Sequence, residues 1–295
     1  MTENPARPLV IGVTSRSLFN LDDSHMIFEQ DGVEAFAQYQ IAHEEVPLGP
    51  GPAFALVQKF LNLVVNGNPL CEVVLLSRNS MDTGLRVFNS IENHGLKITR
   101  AAFCGGNEPW PYARAFSCDL YLSTEASDVR RALEVGLAAA QLIGDHKDAD
   151  SPEVRIAFDG DAVVFSDEAE RVFHSDGLNA FQDSEVASAH VPLTAGPFKE
   201  FLSALHSLQA HYSPNESPIK TALVTARSAP SHERVIRTLR EWGIRVDESV
   251  FLGGLPKSAF LEAFNADIFF DDQRINVERV GSGVGAHVPT GIKNE

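Results

Sequence analysis

The chain has 295 residues, 44% of them hydrophobic, enough for two ordinary domains or one large one, each with a real core. A formal net charge of −16 argues against nonspecific binding to nucleic acid or to an anionic membrane, since both need a positive surface. The longest apolar stretches, LNLVV (61–65) and GLAAAQLI (136–143), fall well short of the roughly 20 residues that span a bilayer.

No signal peptide is read at MTENPARPLVIGV. The cysteines, Cys71, Cys104 and Cys118, form no C-x-x-C pair and read as buried free thiols in a reducing cytoplasm. Periodicity then predicts a strand over 9–14, a polar helical insertion turning at Asp31-Gly32, and a helix over 52–65 with Pro52 in its first turn. A strand over 72–76, a helix over 81–94 closed by Gly95, a short strand, a Gly105-Gly106 turn, a helix over 109–117 and a strand over 119–122 follow. Next comes a helix over about 128–143, with Ser127 or Asp128 as N-cap and Arg130 and Arg131 on its solvated side, and then a linker, GDHKDADSP (144–152).

After the linker the same plan begins again. IGVTSRSLFNLDD (11–23) lies on IAFDGDAVVFSDE (156–168), and the shared shift matches Asp22, Phe28, Asp31, Gly32, Phe36, Pro47 and Gly51 to Asp167, Phe173, Asp176, Gly177, Phe181, Pro192 and Gly196. After a three-residue slip, VVLLSRNS (73–80) lies on TALVTARS (221–228), and 105–125 lies on 253–273 without a gap. The second set of elements is therefore a strand over 154–158, helices over 197–210, 230–242 and 256–264, and strands over 220–224 and 267–270. Alternating strands and helices predict an α/β fold: two tandem Rossmann-like domains with mostly parallel sheets, 1–150 and 151–295, the second carrying a small helical cap at about 166–195.

Comparison of the halves separates chemistry from drift. Asp159 faces Thr14, Asp161 faces Arg16, Lys257 faces Pro109, Asp271 faces Ser123 and Asp272 faces Thr124, while Thr225 keeps its hydroxyl opposite Ser77. These charged groups all sit at strand ends or turns, where open α/β sheets place ligands, and only in the second half. Asp159 fits a nucleophile that attacks phosphorus to give an aspartyl-phosphate. Asp161 fits the group that protonates the leaving oxygen and then deprotonates water, a role worth about 10²–10⁴-fold. Thr225 can donate to a phosphoryl oxygen and Lys257 can balance charge. Asp159, Asp271 or Asp272, and a backbone carbonyl near Asp161 form an oxygen-only Mg²⁺ site. A carboxylate about 4 Å from a phosphate meets roughly 4 kcal/mol of repulsion per pair of unit charges at an effective dielectric of 20, so a divalent cation is expected there.

At these residues the chain resembles the haloacid-dehalogenase-type phosphatases. DGDAV (159–163) is similar to their first motif, Thr225 to the second, Lys257 to the third and Asp271-Asp272 to the fourth. AFDGDAVVFSDEAERV, AGPFKEFL, LVTARSA, LPKSAFL, IFFDDQ and GAHVPTG resemble, more narrowly, the type I cytosolic 5'-nucleotidases, and VTSRSLFN, PGPAFALV, CGGNEPW and LYLS extend the likeness through the first half. The resemblance implies Mg²⁺-dependent hydrolysis of nucleoside 5'-monophosphates, AMP or pyrimidine monophosphates, in the cytoplasm. Phe165, Lys199, Ala226 and Arg227 are the further candidates for substrate contact. Two other readings stand beside this one: a phosphatase of another small phosphate ester, and a first half that binds a nucleotide effector. Neither a nucleic-acid nor a membrane partner is expected, and homo-oligomer formation is left open.

Overall fold

The computed structural model describes residues 7–65, 67–144, 151–213, 216–281 and 283–295. Residues 145–150 of the expected linker lie outside the described residues. Spatially the chain divides into two compact units, one formed by Arg7–His146 and the other comprising Lys147–Glu295.

In the unit Arg7–His146, beside a two-residue hairpin pair (Val64–Val65 with Asn68–Pro69), the strands of the parallel sheet are β1 (Leu9–Val13), β2 (Cys71–Ser77), β3 (Arg100–Phe103), β4 (Leu120–Ser123) and β5 (Ala139–Ile143). They pair in parallel in the order β3-β2-β1-β4-β5. In the unit that follows, β6 (Val154–Phe158), β7 (Ile219–Thr225), β8 (Glu248–Phe251), β9 (Ile268–Asp271) and β10 (Val284–His287) pair in parallel in the order β8-β7-β6-β9-β10. Each unit is thus a Rossmann-like α/β layer structure, and the two strand orders are the same. The central strands β1 and β6 are short continuous apolar runs, as strands covered by helices on both faces must be.

Most expected elements are found within a residue or two: helices Met81–Asn93, Trp110–Ala115, Lys199–Gln209, His232–Glu241 and Ser258–Phe264; the helix expected over 52–65 is Phe54–Leu61, ending four residues early where Val64–Val65 is extended. Gly95 and Gly243 both take φ 65°, the left-handed geometry that ends a helix. Pro52 and Pro197 stand just ahead of their helices instead of inside the first turn. The polar insertions are helices, Asp22–Ala42 and Glu168–Ala187, each broken at a glycine, Gly32 (φ 84°) and Gly177 (φ 82°).

The expected helix over 128–143 is corrected. The helix is Ala126–Glu134, Gly136 turns the chain at φ 79°, and the apolar run beyond it is strand β5. Glu125 occupies the N-cap position, and Asp128, read as a cap, is buried and paired with Arg78; Arg130 and Arg131 do face solvent. Strand β10, which borders β9, was not expected from the sequence at all. No helix among the described residues is long and apolar enough to cross a membrane.

Under the carboxyl ends of β6 and β9, Phe158, Phe198, Phe201 and Phe270 pack with ring centroids 4.7 to 6.4 Å apart. Phe158 precedes Asp159 and Phe270 precedes Asp271, so this cluster holds both strand ends, each aromatic pair contributing about 0.5–1.5 kcal/mol beyond area burial. Gly196 lies where a Cβ would stand 2.3 Å from the Phe165 carbonyl oxygen and 2.5 Å from that of Val163. The Gly196→Ala protein is expected to lose roughly 1–3 kcal/mol or more through forced backbone movement, whereas Gly49→Ala, with open space around it, should unfold near the wild-type temperature. Thermal denaturation of both variants checks this; a Gly196→Ala melting temperature equal to wild type would refute the close approach.

Candidate active site

The chain leaves β6 at Asp159, whose backbone N–H donates to the Phe270 carbonyl at 2.8 Å, and enters one wide turn, Gly160–Val164. The Asp159 carboxylate accepts from the Gly160 N–H at 2.7 Å, and Ala162 takes the left-handed conformation, φ 61°. Ala162 is held there by the Thr290 hydroxyl, which donates to its carbonyl at 2.7 Å. A Cβ on Gly160 would lie 3.2 Å from the Thr225 hydroxyl oxygen, which explains the small residue between the two acids. That hydroxyl accepts from the Arg227 N–H at 3.3 Å, and Thr225 closes β7, the neighbour of β6.

On the other side of β6, strand β9 ends at Asp271, and Asp272 follows. The chain moves from β6 to β7 on one side and returns to β9 on the other, so these residues sit at the topological switch where such sheets bind ligands. Lys257, 7% exposed, places Nζ 2.8 Å from Asp159 Oδ1 and donates to Asp271 Oδ2 at 2.6 Å. Asp271 also accepts from the Gln273 N–H at 2.7 Å and from Asn276 Nδ2 at 3.1 Å to each oxygen. Its hydrogen-bonding capacity is therefore largely used.

Asp272 differs. It is 1% exposed, its Oδ2 has no hydrogen-bond partner, and its backbone carbonyl accepts from His287 Nε2 and Asn294 Nδ2, each at 2.9 Å. Burial, joined by the negative charges of Asp159 and Asp271, pushes the Asp272 carboxyl up to about 9. Burial also pushes Asp159 up to about 7, with Lys257 pulling against it and Asp271 adding to it. Burial acts to lower Lys257, but Asp159 and Asp271 outweigh it and hold the ammonium above its ordinary range. Ligand oxygens of Asp159, Asp271 and Asp272 all lie within 4.8 Å of one another. An oxygen-only set with an orphaned buried carboxylate oxygen fits a hard divalent cation.

The Asp161 carboxylate is outside that group of three. It is gripped by Arg227, whose Nε and Nη2 donate to it at 2.9 and 2.7 Å. The structure thus gathers Asp159, Lys257, Asp271 and Asp272 around one point, with Thr225 against Gly160 and Asp161 gripped by Arg227 on the same turn. Three candidates remain. Phe165 has no exposed surface and packs on Trp242 at 5.5 Å between centroids, so as placed it belongs to the core and offers no face to a base. Lys199 pairs with Glu200 at 2.7 Å and lies over the Trp242 ring, while Ala226 is exposed and accepts from the Gly254 N–H at 3.1 Å. Sequence reasoning missed Gln273, Asn276, His287 and Asn294, which act through amides or a ring nitrogen close to the acids and belong to no recognisable spacing.

The corresponding place in the unit Arg7–His146 is built of hydroxyls. Ser15 and Ser77 share a hydrogen bond of 2.9 Å, and Thr14 and Ser17 one of 2.7 Å.

The chain matches the family model described as 5'-nucleotidase over residues 1–295. It is 39% identical to Cytosolic 5'-nucleotidase 1B of Homo sapiens over 94% of this chain and 48% of that protein, so the chain spans about half the length of this curated relative. No solved structure matches it. With a match along the whole chain and the buried carboxylates of its second unit gathered at a sheet switch point, the chain belongs to the 5'-nucleotidase family.

Proposed function

We propose that this chain is a Mg²⁺-dependent 5'-nucleotidase of the cytoplasm that hydrolyses nucleoside 5'-monophosphates through an aspartyl-phosphate on Asp159. The observation that carries the reading is the convergence of Asp159, Asp271 and Asp272 on one point, with Lys257 paired to two of them. With all three ionised, as ligands must be, the carboxylates outweigh the single ammonium, and a phosphate dianion approaches them only if further positive charge is present.

In this reading the two halves are a tandem duplication. Residues 1–150 form the degenerate copy without catalytic acids and 151–295 the catalytic domain, with its cap at about 166–195. Asp159 and Asp272 would hold the cation, with a backbone carbonyl near Asp161, while Asp271 serves mainly to hold Lys257, Gln273 and Asn276 in place. When bound, the cation supplies Lewis-acid polarisation of the phosphoryl oxygens. Asp159 Oδ attacks phosphorus as the ester O–P bond breaks, and Asp161 delivers a proton to the departing sugar oxygen. Asp161 then takes a proton from water as water attacks phosphorus, releasing Asp159 and phosphate. Thr225 and Lys257 donate to phosphoryl oxygens. A phosphatase acting on a different small ester would use the same residues, and a phosphate-release screen over a metabolite panel separates the two.

A second reading concerns the unit Arg7–His146, which has an open cavity of about 230 Å³ lined by Arg16, Asn20, Asp22 and Thr124 among others. Among the described residues the Thr124 hydroxyl is buried without a partner, and Arg16 pairs with Glu125 at 3.4 Å and Asp22 at 3.9 Å. This site fits a nucleotide effector. Calorimetry of the full-length Asp159→Asn protein with ADP or ATP should show binding that Arg16→Ala removes, and absence of binding would leave this unit a scaffold.

Replacing Asp159 with Asn is expected to abolish phosphate release from nucleoside monophosphates at saturating Mg²⁺, and undiminished turnover would remove the assignment. Asp272→Asn should raise the Mg²⁺ concentration needed for half-maximal activity by at least about tenfold, while Asp271→Asn should lower the melting temperature more than Asp272→Asn does. The acid pKa values give a pH test. Carboxyls raised from 3.8 to about 7 and about 9 stabilise the fold while protonated, so without cation that stability falls as pH rises above the ordinary carboxyl value, the loss being complete near pH 7 for Asp159 and near pH 9 for Asp272. Mg²⁺ binds the deprotonated forms, so the rise in melting temperature on adding Mg²⁺ should grow between about pH 7 and about pH 9. A rise independent of pH would exclude these carboxylates as its ligands.

A further inference from the structure

Asp161 stands at one end of a chain of ion pairs that the reaction as described does not use. Arg227 has a 2% exposed side chain and spends Nε and Nη2 on Asp161, while its Nη1 donates to Glu185 Oε2. Glu185, with a 1% exposed side chain, lies on the helix Glu168–Ala187, and its other oxygen accepts from Arg234 Nη1 at 2.8 Å. Arg234 continues to Glu168 at 2.9 Å and to the Val191 carbonyl at 2.8 Å. The Arg227 guanidinium also lies over the Phe181 ring, 5.5 Å from its centroid. Asp161 is thereby tied to the helical insertion through two fully buried groups.

The cost of that arrangement shows that stability alone does not explain it. A buried ion pair often stabilises a fold no better than apolar side chains of the same volume. The unit Arg7–His146 shows that the helical tie works without the acid: Arg86 donates to the Val46 carbonyl at 3.0 Å, as Arg234 does to Val191, and its Nη1 donates to the neutral amide oxygen of Gln40 at 2.9 Å. Matching positions there hold Gln40 for Glu185, Asn79 for Arg227 and Arg16 for Asp161. The arginine that anchors the helix is common to both units. Glu185 and Arg227 occur only where Asp161 does.

We infer that Arg227 and Glu185 are positioning residues for proton transfer: Arg227 sets the place and plane of the Asp161 carboxylate, and Glu185 holds Arg227, so that docking of the helix Glu168–Ala187 determines the geometry of Asp161. A guanidinium suits this because two parallel N–H donors fix the plane of a carboxylate, which a lysine cannot do. The inference rests on the reading of Asp161 as the proton-transfer group.

The test uses the full-length protein with Mg²⁺ and two substrates, a nucleoside monophosphate, whose leaving group needs a proton, and p-nitrophenyl phosphate, whose leaving group does not. Glu185→Gln copies the residue found at the matching position, where it faces Arg86, and is expected to fold with a lowered melting temperature, Arg227 keeping Asp161 and Arg234 keeping Glu168 as partners; activity is read below the melting temperature of each variant. It should lower kcat on the nucleoside monophosphate about tenfold or more, with KM little changed and a smaller loss on p-nitrophenyl phosphate. Arg227→Lys, which keeps the buried charge, should show the same substrate pattern. In the Asp161→Asn background neither substitution should cause further loss, because both act through Asp161. Equal losses on the two substrates, an effect on KM alone, or losses that multiply with Asp161→Asn would overturn the inference. Undiminished activity of Asp161→Asn by itself would instead remove the underlying reading of Asp161.

Discussion

The structure of the second unit depends on one electrostatic constraint. Asp159, Asp271 and Asp272 are each at most 6% exposed, and Lys257 is the cation that reaches two of them. Carboxylates removed from water cost several kcal/mol apiece unless they are paired or neutralised. Lys257 compensates Asp159 and Asp271, and backbone and side-chain amides complete Asp271, but Asp272 keeps an oxygen with no partner. The fold tolerates that imbalance at the switch point of its sheet, where strand ends hold the acids and the Phe158, Phe198, Phe201 and Phe270 cluster fixes the strand ends. Once its acids are ionised, that pocket carries more negative than positive charge, which a hard divalent cation would balance.

Acid placement is also a matter of backbone. Gly160 gives the Thr225 hydroxyl room, Ala162 accepts a left-handed conformation, and Gly196 lets the chain pass against the Phe165 carbonyl. The turn then aims Asp161 at Arg227, and Arg227 connects it to Glu185 in the helical insertion. Local strain at the turn and long-range ion pairing thus serve one end, the orientation of a single carboxylate. Strain of this kind persists only where the surroundings over-determine it.

Much of this was legible in the sequence because the repeat acts as an internal control. Thr14 and Arg16 at the positions of Asp159 and Asp161 show that a strand and its turn form without acids, so the acids required another explanation. Strand ends, helix-closing glycines and paired glycine turns followed from periodicity and backbone chemistry. GLAAAQLI was misread because a short apolar run is compatible with a buried strand or a continuing helix, and the positive φ of Gly136 decides between them. Strand β10, VGAH with its small residues, carried too little apolar pattern to register. The division of labour between Asp271 and Asp272 was not visible, since it depends on Gln273 and Asn276 reaching back to one carboxylate and not the other. Glu185 escaped notice for the same reason: its partners Arg227 and Arg234 meet it only through the fold, and a buried acid in a polar helix looks like any solvated one.

The central claim is that Asp159 forms a covalent bond to phosphorus. An acyl phosphate is reduced by borohydride, which converts the modified aspartate to homoserine, so the residue can be located by peptide mass spectrometry. With a nucleoside monophosphate and Mg²⁺ present at the time of trapping, homoserine is expected at position 159 and is not expected when either is omitted. Active protein that shows no reduction at position 159, or that carries it at another aspartate, would contradict the account.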